Sequence, residues 1–184
     1  MTYASGVPVA GSLATRQFSA ATYDALFASE SATGAMFWSL TDHLGTVRDV
    51  TDADGDAVAH FTYGAFGEIT SVTTWDGSGT PTVSTDAATI AAEAKKLAGQ
   101  TYTAREWDPD AGMFYYRARW FDQEAGRFLS DDPLGFGAGD VNVQRYVGND
   151  VAQTTDPTGL RGFPIRGPRT VPNPPPNPFV SPNC

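Results

Sequence analysis

Short runs in which apolar and polar residues alternate fill the chain between Met36 and Thr73. Residues 36–40, 46–50, 57–63 and 68–73 are rich in Val, Ile, Phe, Tyr, Trp and Thr, and turn residues separate them: Asp42-His43-Leu44-Gly45, Asp52-Ala53-Asp54-Gly55-Asp56 and the Gly-bounded stretch 64–67. Successive side chains of a strand point to opposite faces, so each run can bury one face and wet the other. Asp54-Gly55 predicts a type I′ hairpin turn, which needs two consecutive residues at positive φ. The region reads as consecutive antiparallel hairpins.

One stretch has helical period instead. Ile90, Ala94 and Leu97 recur at i, i+4 and i+7, Thr85 or Asp86 can cap the start, Lys95 and Lys96 sit in the last turn, and Gly99 stops it. This predicts a short inserted helix over 87–98. Residues 1–35 are small and polar, an irregular lead-in with strand-like pieces such as 16–18.

An internal repeat of spacing 14 follows. Trp107, Asp108, Asp110, Ala111, Gly112 and Phe114 recur as Phe121, Asp122, Glu124, Ala125, Gly126 and Phe128. Each unit reads aromatic, acidic turn, Gly, aromatic, which predicts stacked hairpins. Alternation through 113–121 sets Phe114, Tyr116, Ala118 and Trp120 against Tyr115, Arg117, Arg119 and Phe121, with an aromatic face inward and arginine outward.

Charge and proline divide the chain at Leu160. Of 184 residues and a net charge of -9, residues 1–160 hold 9 basic and 21 acidic groups, while 161–184 hold Arg161, Arg166 and Arg169, no acid, and eight of the 13 Pro. An acidic body argues against nucleic acid as partner. The segment 161–184 is too Pro-rich for helix or interior strand and reads as extended and disordered. No apolar run approaches the length of a membrane helix, and no Sec-type signal opens the chain. The single cysteine, Cys184, excludes an intrachain disulfide or a CxxC site.

Few residues offer metal or cofactor chemistry. Asp52, Asp54 and Asp56 resemble the start of a calcium loop, but Ala57 stands where the loop needs Gly and Tyr63 where it needs Glu. His43 and His60 lack a third ligand for zinc. No phosphate loop or hydrolase elbow is present, so no metal and no cofactor is expected.

The ordered motifs resemble the YD-repeat region and repeat-associated core of RHS (rearrangement hotspot) proteins. The resemblance rests on Thr41-Asp42-His43-Leu44-Gly45-Thr46-Val47-Arg48, Tyr63-Gly64-Ala65-Phe66-Gly67, Trp107-Asp108-Pro109, Tyr115-Tyr116-Arg117-Ala118-Arg119-Trp120-Phe121-Asp122, Gly126-Arg127-Phe128-Leu129-Ser130, Asp132-Pro133-Leu134-Gly135-Phe136, Arg145-Tyr146-Val147-Gly148-Asn149 and Asp156-Pro157-Thr158-Gly159-Leu160. It implies an all-β fold of RHS hairpins, a fragment of a spiralling shell that encloses a toxic or variable segment. The implied division is a lead-in 1–35, a core 36–160 and a variable tail 161–184. Export to the surface or exterior by a secretion apparatus is also implied, with the remainder of a shell and the chain's own C-terminal segment as partners.

In several RHS proteins two DPxG aspartates act as an aspartic autoprotease that cuts just after the closing Leu. Carried over, the resemblance places the catalytic pair at Asp132 and Asp156 and the cut between Leu160 and Arg161. Arg127 and Arg145 are candidates to hold a carboxylate ionised, against the plainer reading of solvated surface arginines. Two neighbouring carboxyls provide both a base for water and an acid for the leaving amine, and a tethered bond needs little further binding. Asp-Pro-x-Gly is equally the sequence of a type I turn. The alternative is therefore a structural or interaction module whose DPxG turns only end hairpins.

Overall fold

A computed structural model of the chain describes residues 15–19, 26–31, 33–95 and 99–164. Seven strands run as an antiparallel meander in sequence order: β1 (Thr15–Ser19), β2 (Leu26–Ser31), β3 (Met36–Thr41), β4 (Val47–Thr51), β5 (Ala57–Tyr63), β6 (Ile69–Thr74) and β7 (Thr82–Ser84). The strand-like piece 16–18 lies in β1, so the sheet continues into the lead-in. The four predicted runs correspond to β3 to β6.

Two of the three turns between them share one device. Asp42 Oδ1 accepts the N–H groups of Leu44 and Thr46, and Asp52 Oδ1 those of Asp54 and Asp56. These side-chain caps satisfy turn donors that the ladder leaves over. The Asp54-Gly55 turn departs from the expected type I′. Only Gly55 of the pair has positive φ, at 89°, and Gly55 N–H bonds to the Asp52 carbonyl. It is a type I turn closed by a left-handed glycine, which adds a residue to the loop and accompanies a register shift at Val50/Thr51.

Val47, Val50, Ala59, Phe61, Ile69 and Val72 bury one face of this sheet. The helix, α1 (Ala87–Glu93), packs Ile90 and the following Ala94 onto that core, and Asp86 caps it by accepting the N–H of Thr89 at 2.8 Å. Of the predicted span 87–98, residues 96–98, Leu97 among them, lie outside the described residues.

The repeat of spacing 14 builds a second sheet, ordered β11 (Arg127–Phe128), β10 (Trp120–Asp122), β9 (Met113–Tyr115), β8 (Glu106–Asp108). Its two units superpose chemically: Trp107 faces Phe114 as Phe121 faces Phe128. Asp108 and Asp122 each accept two turn N–H groups at 2.9 to 3.0 Å, and Gly112 and Gly126 both have φ near 65°. Tyr102, Phe114, Tyr116, Phe121, Phe128 and Tyr146 form the core beneath it, with Phe121 and Tyr146 rings 4.5 Å apart.

The expected unbroken strand 113–121 is a hairpin instead. Tyr116 N–H bonds to the Arg119 carbonyl and Arg117 takes φ 63°, so the chain reverses over 116–119. The reversal breaks the alternation: Tyr116 stays inside, Tyr115 and Trp120 face outward, and Arg119, expected outside, is buried. The start of the C-terminal segment is also ordered: Phe163–Pro164 (β13) pairs antiparallel with Thr154–Thr155 (β12). The expectation of an extended tail from 165 onward falls outside the described residues.

Candidate functional site

Three separate turns bring Arg119, Asp132 and Asp156 together. Arg119 ends the β9–β10 turn, Asp132 opens the turn after β11, and Asp156 follows β12. Arg119 Nη2 lies 2.8 Å from Asp132 Oδ2 and 3.5 Å from Asp156 Oδ2, and all three side chains are at most 4% exposed. The other two nitrogens of the guanidinium are engaged as well: Nη1 reaches the Val143 carbonyl at 3.0 Å and Nε the Gly159 carbonyl, and the plane stacks 3.6 Å from the Phe128 ring centre. Burial holds the Arg119 pKa below its ordinary value, and the two carboxylates offset part of that shift. An arginine between two carboxylates keeps its charge.

The two aspartates use their outer oxygens differently. Asp132 Oδ1 accepts the N–H of Leu134 at 2.8 Å, the usual bond of an Asp that starts a turn. Asp156 Oδ1 accepts the N–H groups of Thr158, Gly159, Leu160 and Arg161, at 3.2, 2.9, 3.2 and 3.1 Å, and the Thr158 hydroxyl at 3.3 Å. The backbone from 158 to 161 is wrapped around one carboxylate oxygen. Arg119, Asp132, Arg145, Asp156, Leu160 and Arg161 line a common cleft of about 240 Å³.

The arginines expected as support pair with groups other than the two aspartates, although Arg145 lines the same cleft. Arg127 donates to the Gln144 side chain at 3.2 Å, and Arg145 pairs with Asp140 at 3.3 Å on the rim of the cleft. The cation that reaches both carboxylates is Arg119, which sequence reasoning had assigned to the outer face. Asp52 is occupied in capping its own turn. His43 Nε2 lies 2.9 Å from the Ala152 carbonyl, tying the first sheet's turn to the loop before β12.

Comparison with known proteins matches residues 42–78 to the RHS Repeat family model. The chain is also 31% identical over 131 residues to Double-stranded DNA deaminase toxin A of Burkholderia cenocepacia, covering 71% of this chain and 8% of that protein. This is an RHS-repeat chain. A second relative, Toxin protein Tse5 of Pseudomonas aeruginosa, is 32% identical over 65% of this chain and 8% of its own length. Among solved structures, the RHS-repeat chain superposes on TcdB2-TccC3 without its hypervariable C-terminal region with a TM-score of 0.58 at 20% identity, covering 79% of this chain and 6% of that one. The Photorhabdus luminescens Tc holotoxin pore gives 0.54 at 22% identity, over 85% and 6%. These structures share its fold of antiparallel β-sheets. The chain spans under a tenth of the length of these relatives, and no described helix is long and apolar enough to cross a membrane.

Proposed function

We propose that this chain is the C-terminal closing piece of an RHS toxin shell, with residues 36–160 as core, and that it cuts its own backbone between Leu160 and Arg161. The observation that carries the reading is the bond from Arg161 N–H to Asp156 Oδ1. It keeps the nitrogen that would leave within hydrogen-bond reach of a carboxyl whose other oxygen shares Arg119 with Asp132.

The residues divide the chemistry as follows. One carboxyl of the Asp132/Asp156 pair takes a proton from water as the water oxygen attacks the Leu160 carbonyl carbon. The nitrogen of Arg161 becomes pyramidal as its lone pair leaves conjugation, the partner carboxyl in its acid form protonates it, and the C–N bond breaks to leave an Arg161 amine and a Leu160 carboxylic acid, which returns a proton to the carboxylate just formed. Arg119 is a positioning residue: it holds both carboxyls on one guanidinium and, through the Gly159 carbonyl, the strand of chain to be cut.

A second reading draws on the five donors gathered by Asp156 Oδ1. Those bonds and the four polar contacts of the guanidinium also describe a clamp that fastens the C-terminal segment to the core and does no chemistry. Intact mass separates the two. Self-cleavage predicts loss of residues 161–184 from the parent, while Asp132→Asn and Asp156→Asn stay whole. A parent that stays uncut from acid to neutral pH, with native circular dichroism, leaves the clamp. A cut that survives both substitutions assigns the break to an outside protease.

The relatives are named as toxins, and one solved structure is described as lacking a hypervariable C-terminal region. Those descriptions favour residues 161–184 as the variable segment and the remainder of a longer shell, exported to the cell exterior, as the partner of residues 36–160.

A further inference from the structure

The outer face of the second sheet carries a row of side chains that the proposed cleavage does not use. Glu106, Tyr115 and Trp120 stand opposite one another across β8, β9 and β10. On the other face, Phe114, Phe121 and Phe128 are fully buried. Tyr115 and Trp120 are 39% and 38% exposed, with ring centres 5.1 Å apart. They line a groove of about 360 Å³ together with Trp107, Pro109, Glu106, Asp108, Asp110 and Lys95. Two solvent-facing rings side by side, ringed by three carboxylates and one ammonium, form a surface for a cationic ligand with flat apolar units.

The chain itself carries such a ligand. Residues 165–184 read Ile-Arg-Gly-Pro-Arg-Thr-Val-Pro-Asn-Pro-Pro-Pro-Asn-Pro-Phe-Val-Ser-Pro-Asn-Cys, with two arginines, seven prolines and no acid. A polyproline II segment is already extended before it binds, so docking costs little conformational entropy. Its rings stack on aromatic faces and its unpaired carbonyls accept from indole and phenol groups. Arg166 and Arg169 lie immediately before the proline run, where the groove offers Glu106, Asp108 and Asp110. A polyproline stretch of this length spans about 60 Å, against a radius of gyration of about 15 Å for a body of this size. Reach does not limit docking.

We propose that the groove formed by Trp107, Tyr115 and Trp120 is a docking site for a proline-rich, arginine-bearing peptide, and that its occupant is this chain's own segment 165–184. The proposal is independent of the cleavage chemistry.

Cys184 is the sole cysteine and ends the segment, so a nitroxide attached there probes docking without any substitution. Indole N–H signals of Trp38, Trp75, Trp107 and Trp120 are then compared with the label oxidised and reduced. Docking predicts broadening concentrated at Trp107 and Trp120, lost in Arg166→Glu/Arg169→Glu and in Trp120→Ala. The tail charge reversals leave the body sequence intact, so their result does not depend on the stability of a core variant. Adding unlabelled peptide 165–184 restores the signals. Broadening that is uniform, or centred on the exposed Trp38, overturns the proposal. Broadening that appears when labelled chain is mixed with isotopically enriched unlabelled chain gives the groove to a second copy and overturns the occupant named here. Asp132→Asn is measured alongside the parent, with masses, so that departure of a cut tail is not mistaken for failure to dock.

Discussion

The α-carbon of Gly159 lies against the backbone carbonyl of Tyr116, at a place where a β-carbon would overlap that oxygen. Gly159 also has φ 69°, a conformation that costs side-chain-bearing residues energy. The close approach lets the Gly159 carbonyl meet Arg119, and it lets Ala118 N–H reach the Thr158 carbonyl at 3.3 Å. Gly159→Ala is therefore expected to cost about 3 kcal/mol. Urea unfolding should show it as a lowered midpoint with unchanged slope, and any self-cleavage should fall with it.

Arg119 stacks on Phe128 and spends Nε, Nη1 and Nη2 on carbonyls and carboxylates. Arg119→Ala leaves Asp132 and Asp156 buried without a cation, and breaking such a group costs about 3–5 kcal/mol. Arg119→Lys keeps the charge but loses the planar fork and the stack on Phe128, so it should recover part of that loss and not all of it. Denaturant midpoints for parent, Lys and Ala variants should fall in that order.

The two aspartates are not equivalent in stability. Asp156 Oδ1 takes five donors, Asp132 Oδ1 one. Replacing Asp156 by Ala strands four backbone N–H groups as well as half of the Arg119 pairing, and should cost about 4 kcal/mol or more, against about 3 for Asp132→Ala. Equal losses in calorimetry would show that the 158–161 backbone finds other partners.

Alkaline pH should unfold the aromatic core. Burial raises the pKa of Tyr146 to about 12 and pushes Tyr63, Tyr102 and Tyr116 upward from the ordinary value of 10.0. The unfolded chain loses these protons near pH 10 while the native state keeps them, so the native state binds more protons and stability falls as pH rises. The contribution is complete below about pH 10; that of Tyr146 is lost through about pH 12, and those of the other three keep falling at higher pH. Tyrosinate absorbance followed with circular dichroism should show the buried hydroxyls ionising together with loss of structure.

The hairpin ladder was legible because its rule is local. The runs at 36–40, 46–50, 57–63 and 68–73 carry their own alternation, and the acidic turns with glycine mark their ends. The repeat of spacing 14 was equally plain, since Trp107/Phe114 and Phe121/Phe128 perform one packing job twice. Asp132 and Asp156 stood out by motif, but nothing local brings residues 24 positions apart to one guanidinium. Arg119 was hidden by the same alternation that revealed the strands. Its inward turn depends on Arg117 adopting positive φ, a conformation that a non-glycine residue does not announce. The groove went unseen for a related reason, because the reversal at 116–119 is what puts Tyr115 and Trp120 on the outer face together.

The short ribbon of β12 and β13 has a thermodynamic consequence for cleavage. Thr154–Thr155 and Phe163–Pro164 lie on opposite sides of the Leu160–Arg161 bond yet pair with each other. Cutting there would exchange one covalent link for an assembly of two polypeptides held by strand pairing, with a new terminal amine beside Asp156. Scission and departure thus become separate events: the first is a property of the aspartates, the second a dissociation rate that force, dilution or unfolding can set.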